Sequence, residues 1–474
     1  MFYRELNQMK DNKYEFAGKT VLVMGLGRFG GGLDAAKYAY CSGAKVIVTD
    51  LAPAEKLGDS LDKLTGFEGI AFHLGSHDPA DFEQADIIIS NPAVPGDNKF
   101  LQIARQANKL ITSQISIFFE LCPAKIIGIT GANGKSTTTA LTAHLLENTS
   151  NKTVWLSGNI GNQPLLTTLD QIRPGDLVVL ELSSFQLEQL AEIQKAPDVA
   201  LLTNLTPNHL DRYGTFENYC AAKENIFKYQ KPDDSHPAVS IFNAEDKIGA
   251  EWFEKYKNEA GRICLKFSAD DVNDDFRKCY ALPGRANLSN LAAAMTIAKY
   301  FITDDNQIKC CLPEFKALPH RLELVEEIGG VRWYNDSKAT TPEGAITALD
   351  AFDQPIIIIA GGYDKNLPFN KLGEKIAEKA KAAILIGSTA PKIASAINNV
   401  QMSLREAQRR SNLQSKNTEI KLIDSLDEAI RLTNQLAETG DVVLLSPACA
   451  SYDMFENYEQ RGQQFKNLVM SLHE

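Results

Sequence analysis

Three times along this chain a short apolar run breaks off in a glycine turn: "KTVLVMGLGRFGGG" from residue 19, "IIGITGANGKSTTT" from 126 and "QPIIIIAGGYDKN" from 354. Further apolar runs, "ADIIIS", "KTVWLSG", "DLVVLELSS", "PDVALLTN", "KAAILIGST" and "DVVLLSPA", alternate with helical segments and end in small or polar residues. Strands that alternate with helices build a mostly parallel sheet. Ligands of such sheets collect at the carboxyl ends of the strands. The fold class is therefore α/β. At about 150 residues per domain, a chain of 474 residues holds three. Their expected limits are 1–112, 113–316 and 317–474.

The net charge of −11 argues against a general nucleic-acid binder, which carries a basic stripe. It does not exclude small anions, because lysines and helix N-termini bind phosphate on acidic proteins too. The eight cysteines show no C-x-x-C spacing, so free thiols in a reducing cytosol are expected, and no zinc site. The opening "MFYRELNQMKDNKYEF" is too polar for a signal peptide. No apolar run approaches the roughly 18 residues that would span a membrane. The expected location is cytoplasmic.

Gly25, Gly27 and Gly30 fit G-x-G-x-x-G between a strand and a helix, and Asp50 ends the next strand. Such glycines let backbone approach a diphosphate, and the acid can accept a bond from a sugar hydroxyl. A dinucleotide, another diphosphate such as a UDP-sugar, or a plain tight turn all remain open on this motif alone. The second turn, Thr130 to Thr137, lacks the glycine that G-x-x-x-x-G-K-[ST] places at 129. Its amides and the following helix N-terminus can still cradle phosphates. Lys135 would reach the outer phosphates, with a hydroxyl of Ser136 or Thr137 toward magnesium. Glu181, at the end of "DLVVLE", suits a magnesium ligand facing them. His209, Arg212 and Lys223 follow a later strand. Spacing alone does not separate these three from structural or solvated residues.

The ordered segments "GITGANGKSTT", "GNIG", "LELSSFQLE", "TNLTPNHLDRYGTFENYCAAK", "LPHRLE", "NDSKAT" and "LLSPACASYDMFENYEQRGQQF" resemble the Mur ligase family of peptidoglycan synthesis over essentially the whole chain. The last three resemble its D-glutamate-adding branch. The resemblance implies three α/β domains: a Rossmann-like UDP-sugar domain, a central P-loop-type ATPase domain and a Rossmann-like amino-acid domain. It implies ATP and two magnesium ions, with UDP-N-acetylmuramoyl-L-alanine and D-glutamate as substrates and a monomer as the working form.

By the same resemblance, Gly131, Asn133, Gly134, Lys135, Ser136 and Thr137 would cradle ATP, with Asn287, Asn290, Arg321 and Asp336 as further ATP contacts. Ser136, Glu181 and His209 would hold magnesium, joined by Lys223 if carbamylated. Carbamylation needs the neutral amine, whereas a free lysine has a pKa of about 10.4. Lys338 would act in the phosphate site. Catalysis would rest on Lys135, Glu181, His209, Lys223 and Lys338. Gly27, Arg28, Asp50, Asn159, Ser183, Gln186 and Arg212 would serve the UDP-muramoyl acceptor. Thr340, Lys365, Ser451, Tyr452 and Tyr458 would serve D-glutamate.

Several positions depart from the family pattern. Ala132 replaces a threonine, Asn208 an aspartate and Ala286 a histidine, "SNPAVPG" replaces a Ser-Pro-Gly loop, and "QISIFF" lacks a glutamate. The implied chemistry activates a carboxylate as an acyl phosphate for attack by an amine, in a site assembled when the third domain closes. Another ligase of this superfamily, including a folylpolyglutamate-synthetase-like one, is the first alternative, and an NAD-dependent dehydrogenase the second.

Overall fold

The computed structural model describes residues 14–27, 30–160, 164–232, 235–302, 304–408 and 417–473. Among them are three sheets. The first holds β1 (Thr20–Met24), β2 (Lys45–Asp50), β3 (Ala71–Leu74), β4 (Ile87–Ser90) and β5 (Leu110–Thr112) in the order β3-β2-β1-β4-β5. Every pairing in it is parallel. Met24 pairs with Thr49 on one side and Ser90 on the other, so the glycine turn after β1 stands at the carboxyl edge. Gly30, at φ 83°, lets the chain enter the helix Gly31–Cys41.

The second sheet holds β6 (Lys125–Thr130), β7 (Val154–Gly158), β8 (Leu177–Glu181), β9 (Val199–Leu202), β10 (Ala238–Asn243) and β11 (Arg262–Phe267) in the order β11-β10-β9-β6-β8-β7. It too is parallel throughout. The register pairs Ile129 with Glu181 and Thr130 with Leu202. The ends of three strands thus meet at the glycine turn that follows Thr130. One apolar core joins both sheets, from Val21 and Ile89 to Leu166, Leu180 and Phe242. They form one compact unit, which runs to Asp271 and includes Asn290–Cys311.

The second unit comprises Val272–Ser289 and the chain from Leu312 onward. Its sheet holds β12 (Glu323–Ile328), β13 (Val331–Asn335), β14 (Ile356–Gly361), β15 (Ala380–Ile386), β16 (Glu419–Leu422) and β17 (Val442–Leu445) in the order β12-β13-β17-β14-β15-β16. Only β12 runs antiparallel, against β13. In β14, Ile356 and Ile358 point into one core and Ile357 and Ile359 into the other. All four are fully buried, which is why an unbroken apolar run makes a central strand here. Burial of each isoleucine contributes roughly 1.5–3 kcal/mol.

The helix Arg285–Phe301 begins in one unit and ends in the other. The polar stretch from residue 401 starts as the last turns of the helix Ala390–Gln408. No helix among the described residues is long and apolar enough to cross a membrane. All eight cysteines are unbridged.

Candidate functional site

Ile129 is fully buried and lies inside β6, so the phosphate-loop pattern has no need of glycine there. The turn begins one residue later. Gly131 has φ 146°, and a Cβ on it would stand 2.0 Å from the Thr203 hydroxyl. Gly134 has φ 79°, with a Cβ position 2.3 Å from Asn290 Oδ1. Both positions demand glycine on space and on backbone angle. Thr203 Oγ1 donates to the Asn133 carbonyl at 2.6 Å, and Asn204 Oδ1 accepts from the Asn133 amide at 3.0 Å. Lys135 opens the helix Lys135–Thr149 and curls back, its Nζ 2.8 Å from the Ala132 carbonyl. Ser136 and Thr137 are buried in its first turn. Asn290 accepts from Thr138 Oγ1 at 3.2 Å, which places it beside the turn.

Beside this cradle, Glu181 ends β8 and is buried. Its Oε1 accepts from Asn159 Nδ2 at 3.0 Å, whereas its Oε2 is buried with no hydrogen-bond partner. Lys223, on the helix Phe216–Lys228, is buried as well and donates to Thr130 Oγ1 at 2.8 Å. That hydroxyl spends its own proton on the Leu182 carbonyl, so it accepts from the amine. Burial holds the Lys223 pKa well below the usual lysine range; the Lys135 charge adds to the effect and Glu181 opposes it. His209 sits at φ 52° with its ring 5.1 Å from Phe185, and burial followed by the charge on Lys223 lowers its pKa. Asn208, the departure from aspartate, uses its side-chain oxygen on the His209 amide at 2.9 Å.

These groups fit a divalent cation. The buried Glu181 oxygen without a partner is a hard donor that a cation would satisfy, and the His209 imidazole, its pKa lowered, can add a nitrogen donor. Among the described residues no cluster of three or more His, Cys, Asp or Glu could hold a metal alone. Phosphate oxygens and Ser136 would have to complete the shell.

In the first sheet the second glycine of the motif is already engaged. The Gly27 amide donates to Asp50 Oδ2 at 3.0 Å, and the Ala52 amide to Oδ1 at 2.8 Å. Arg28 lies outside the described residues. Arg212 holds the atypical loop: Nη1 donates to the Pro92 and Ala93 carbonyls at 3.3 and 3.0 Å, and Nη2 to Glu188 at 3.0 Å. Its guanidinium stacks on Phe185 at 4.1 Å. Ser183 and Gln186 form a capping box on the helix Ser184–Glu192, so their side chains serve that helix start.

The second unit gathers the remaining candidates at the carboxyl ends of β13, β14 and β17. Asp336 is buried and accepts from the Leu322 amide at 3.2 Å and from Ser446 Oγ at 2.8 Å. Burial outweighs both bonds and the nearby Arg321 charge, and pushes its carboxyl up to about 7. Lys338 lies over the Tyr458 ring at 5.1 Å. Thr340 bonds through its amide to the Lys338 carbonyl at 2.9 Å. Ser451 is buried, while Lys365 and Tyr452 are exposed. Asn287 turns its amide to the Pro283 carbonyl at 2.8 Å.

Because the folded pKa of Asp336 lies above the unfolded value near 3.8, its contribution is complete below pH 4 and lost as pH rises to about 7. Asp336→Asn is therefore expected to flatten a fall in unliganded stability of up to roughly 4 kcal/mol across that window. Denaturant unfolding at several pH values reads this directly. Equal slopes in the two proteins would refute it.

Sequence reasoning passed over Arg461. It is 1% exposed, and among the described residues its hydrogen bonds go to uncharged oxygens. Its Nε donates to Ser337 Oγ at 3.0 Å and its Nη2 to the carbonyls of Ser337 and Cys449 at 2.9 and 3.1 Å. Its Nη1 reaches the Ala450 carbonyl at 3.4 Å. One guanidinium thus bolts "NDSK" to "SPACAS". The next residue must be glycine, since a Cβ on Gly462 would stand 2.1 Å from His320 Nδ1. The only sequence signal was the arginine-glycine pair in "EQRGQQF".

The Mur ligase middle domain profile matches residues 129–298, and that of the Mur ligase glutamate ligase domain matches residues 320–449. The chain belongs to the Mur ligase family. A UDP-N-acetylmuramoylalanine–D-glutamate ligase of Roseiflexus sp. (strain RS-1) is 40% identical over 96% of this chain and 99% of its own length. One of Acetivibrio thermocellus is 38% identical over 98% and 99%. Among solved structures, the MurF ligase of Thermotoga maritima in complex with ADP shares the fold, with a TM-score of 0.56 at 17% identity over 98% of this chain and all of that one. As a Mur ligase, the chain is an ATP-dependent enzyme that forms a peptide bond in peptidoglycan precursor synthesis. That displaces the dehydrogenase reading of the first glycine motif.

Proposed function

We propose that this Mur ligase joins D-glutamate to UDP-N-acetylmuramoyl-L-alanine, using ATP. The relatives that match nearly its full length carry that activity in their names. The observation that carries the chemistry is the group at the phosphate turn: Lys135, the buried half-paired Glu181 and a buried Lys223 whose pKa burial holds well below the usual lysine range. We assign residues 1–112 to the UDP-sugar, 113–316 to ATP and 317–474 to the amino acid. The enzyme would work as a cytoplasmic monomer.

The acceptor carboxylate cannot expel oxide, so it first takes the γ-phosphoryl group of ATP, releasing ADP. The D-glutamate amine attacks the acyl phosphate carbonyl. The tetrahedral adduct expels phosphate, the nitrogen loses a proton and the amide remains. Orientation of bound reactants supplies as much as roughly 7–11 kcal/mol of such a barrier. The amides of 131–136 and Lys135 hold the phosphates. Glu181, His209 and Ser136 would hold magnesium, which when bound neutralises the repulsion between phosphate and carboxylate. In its unprotonated form the Lys223 amine can add carbon dioxide and lose a proton, giving an anionic carbamate that would serve as a further metal ligand. Asn287, Asn290, Arg321 and Asp336 serve ATP, and Lys338 the transferred phosphate. Gly27, Asp50 and Asn159 serve the acceptor. Thr340, Lys365, Ser451, Tyr452 and Tyr458 serve D-glutamate.

Phosphate release measured with UDP-N-acetylmuramoyl-L-alanine, ATP and each of D-glutamate, L-glutamate, L-lysine and diaminopimelate tests the assignment. D-Glutamate is expected to be turned over at least about a hundredfold faster than the others. Robust turnover of L-lysine with none of D-glutamate would overturn it.

A further inference from the structure

Asp34 lies in the first turn of the helix Gly31–Cys41, its amide on the Gly30 carbonyl at 2.9 Å. It is 5% exposed, and a carboxylate in the first turn complements the helix dipole, but its hydrogen bonds reach outside the helix. The carboxylate takes five donors. Oδ2 accepts from the amides of Leu165 and Leu166 at 3.0 and 2.7 Å and from Gln114 Nε2 at 2.6 Å. Oδ1 accepts from the Thr167 amide at 3.1 Å and its hydroxyl at 2.6 Å. None of the five donors is a cationic side chain.

The segment so captured lies outside the strands and is bonded back to the second sheet. Ser157 Oγ, near the end of β7, donates to the Pro164 carbonyl at 2.8 Å. Gly158 pairs with Glu181, and the Asn159 amide donates to the Glu181 carbonyl at 2.9 Å. Bonded contacts therefore run from the first glycine turn, through Asp34 and residues 164–167, to the acid beside the ATP cradle. Apolar packing already joins the two sheets, but it is non-directional and fixes no distance along a cleft. Five hydrogen bonds on one carboxylate do fix it.

We propose that Asp34 is a positioning residue that sets the span between the glycine turn and the Asn159–Glu181 end, and so places both ends of the acceptor. This rests on the assignment of those ends to the UDP and carboxylate groups of the acceptor. Asp34→Asn keeps the volume, yet turns an amide group toward donors and leaves some unpaired.

The test is made on the full chain by steady-state kinetics, calorimetric acceptor binding and amide hydrogen exchange. In Asp34→Asn the KM and Kd for UDP-N-acetylmuramoyl-L-alanine are expected to rise about tenfold, the equivalent of one or two lost bonds. KM for ATP and for D-glutamate should stay within about twofold, and exchange at 165–167 should accelerate. Thr167→Val, which removes one donor, should move the acceptor constants about threefold the same way. A lower melting point with an unchanged acceptor Kd in both variants would reduce Asp34 to a structural role and overturn the proposal, as would unchanged exchange at 165–167. Wild-type protein that binds the acceptor without ligating D-glutamate would sink the functional assignment and leave this binding test standing.

Discussion

Lys223→Ala is expected to lower turnover on the order of 10²–10³-fold, the size of effect seen when a single charge-stabilising group leaves an enclosed site. Three observations make this the most exposed point of the mechanism. The side chain is buried, its pKa is held well below the usual lysine range, and its hydroxyl partner Thr130 ends the strand that carries the phosphate turn. Lowering that pKa favours the unprotonated amine, the form that is nucleophilic toward carbon dioxide. If the carbamate is the working form, acetate or formate diffusing into the space left by alanine should restore part of the rate. ATP binding should survive, because Gly131, Gly134 and Lys135 do not depend on the lost atoms. An unaffected rate in the variant removes the carbamate; a dead enzyme that no short carboxylate revives points to the amine itself.

The second large effect is expected at Arg461. Burial pulls its guanidinium down to about 10, which still leaves it charged at neutral pH, with bonds only to uncharged oxygens. Arg461→Met removes the guanidinium donors to Ser337 Oγ and to the Ser337, Cys449 and Ala450 carbonyls, of which Ala450 keeps the Tyr363 amide, with a loss of about 3 kcal/mol in stability after the cost of burying the cation is recovered. Because the freed segments carry Lys338 and Ser451, KM for D-glutamate should rise about tenfold or more while KM for the acceptor holds. Arg461→Lys keeps the charge but cannot span four oxygens, so it should fall between. Urea unfolding and the two KM values read this out. A destabilised variant with normal D-glutamate kinetics would make Arg461 a support for the domain alone.

Much of this was legible in the residues because some conformations leave a mark on composition. Positive φ at Gly131 and Gly134 requires glycine, and strands buried on both faces require unbroken apolar runs such as "IIIIA". Ile129 misled only a fixed pattern, since it lies inside β6 and the glycine turn begins after Thr130. The groups that act across the fold left no such mark. Asp34 meets partners 131 to 133 residues away, and Arg461 reaches Ser337 across 124. A lone acid on a helix and a lone arginine near the chain's end both look solvated until topology brings their partners in. Arg212 was expected on the acceptor and instead straps the Pro92–Ala93 carbonyls. Lys223 drew its role from family resemblance, because one lysine on a helix has no spacing to betray it.

The isoleucine strand of the second unit has a consequence outside catalysis. Four consecutive isoleucines without a charge are safe only while two cores cover them; released, such a segment is a template for intermolecular stacking. The chain brackets it with Pro355 and with Gly361 and Gly362, residues that break an extended ladder. Both ends are also fixed by the native fold. The Pro355 carbonyl accepts from the Val442 amide at 2.9 Å, and a Cβ on Gly361 would stand 2.0 Å from the Ile386 carbonyl. The same residues that let the strand fit its sheet therefore guard the newly made chain against its neighbours. Heating, which exposes the segment at high concentration, measures a rate of irreversible loss, not an equilibrium.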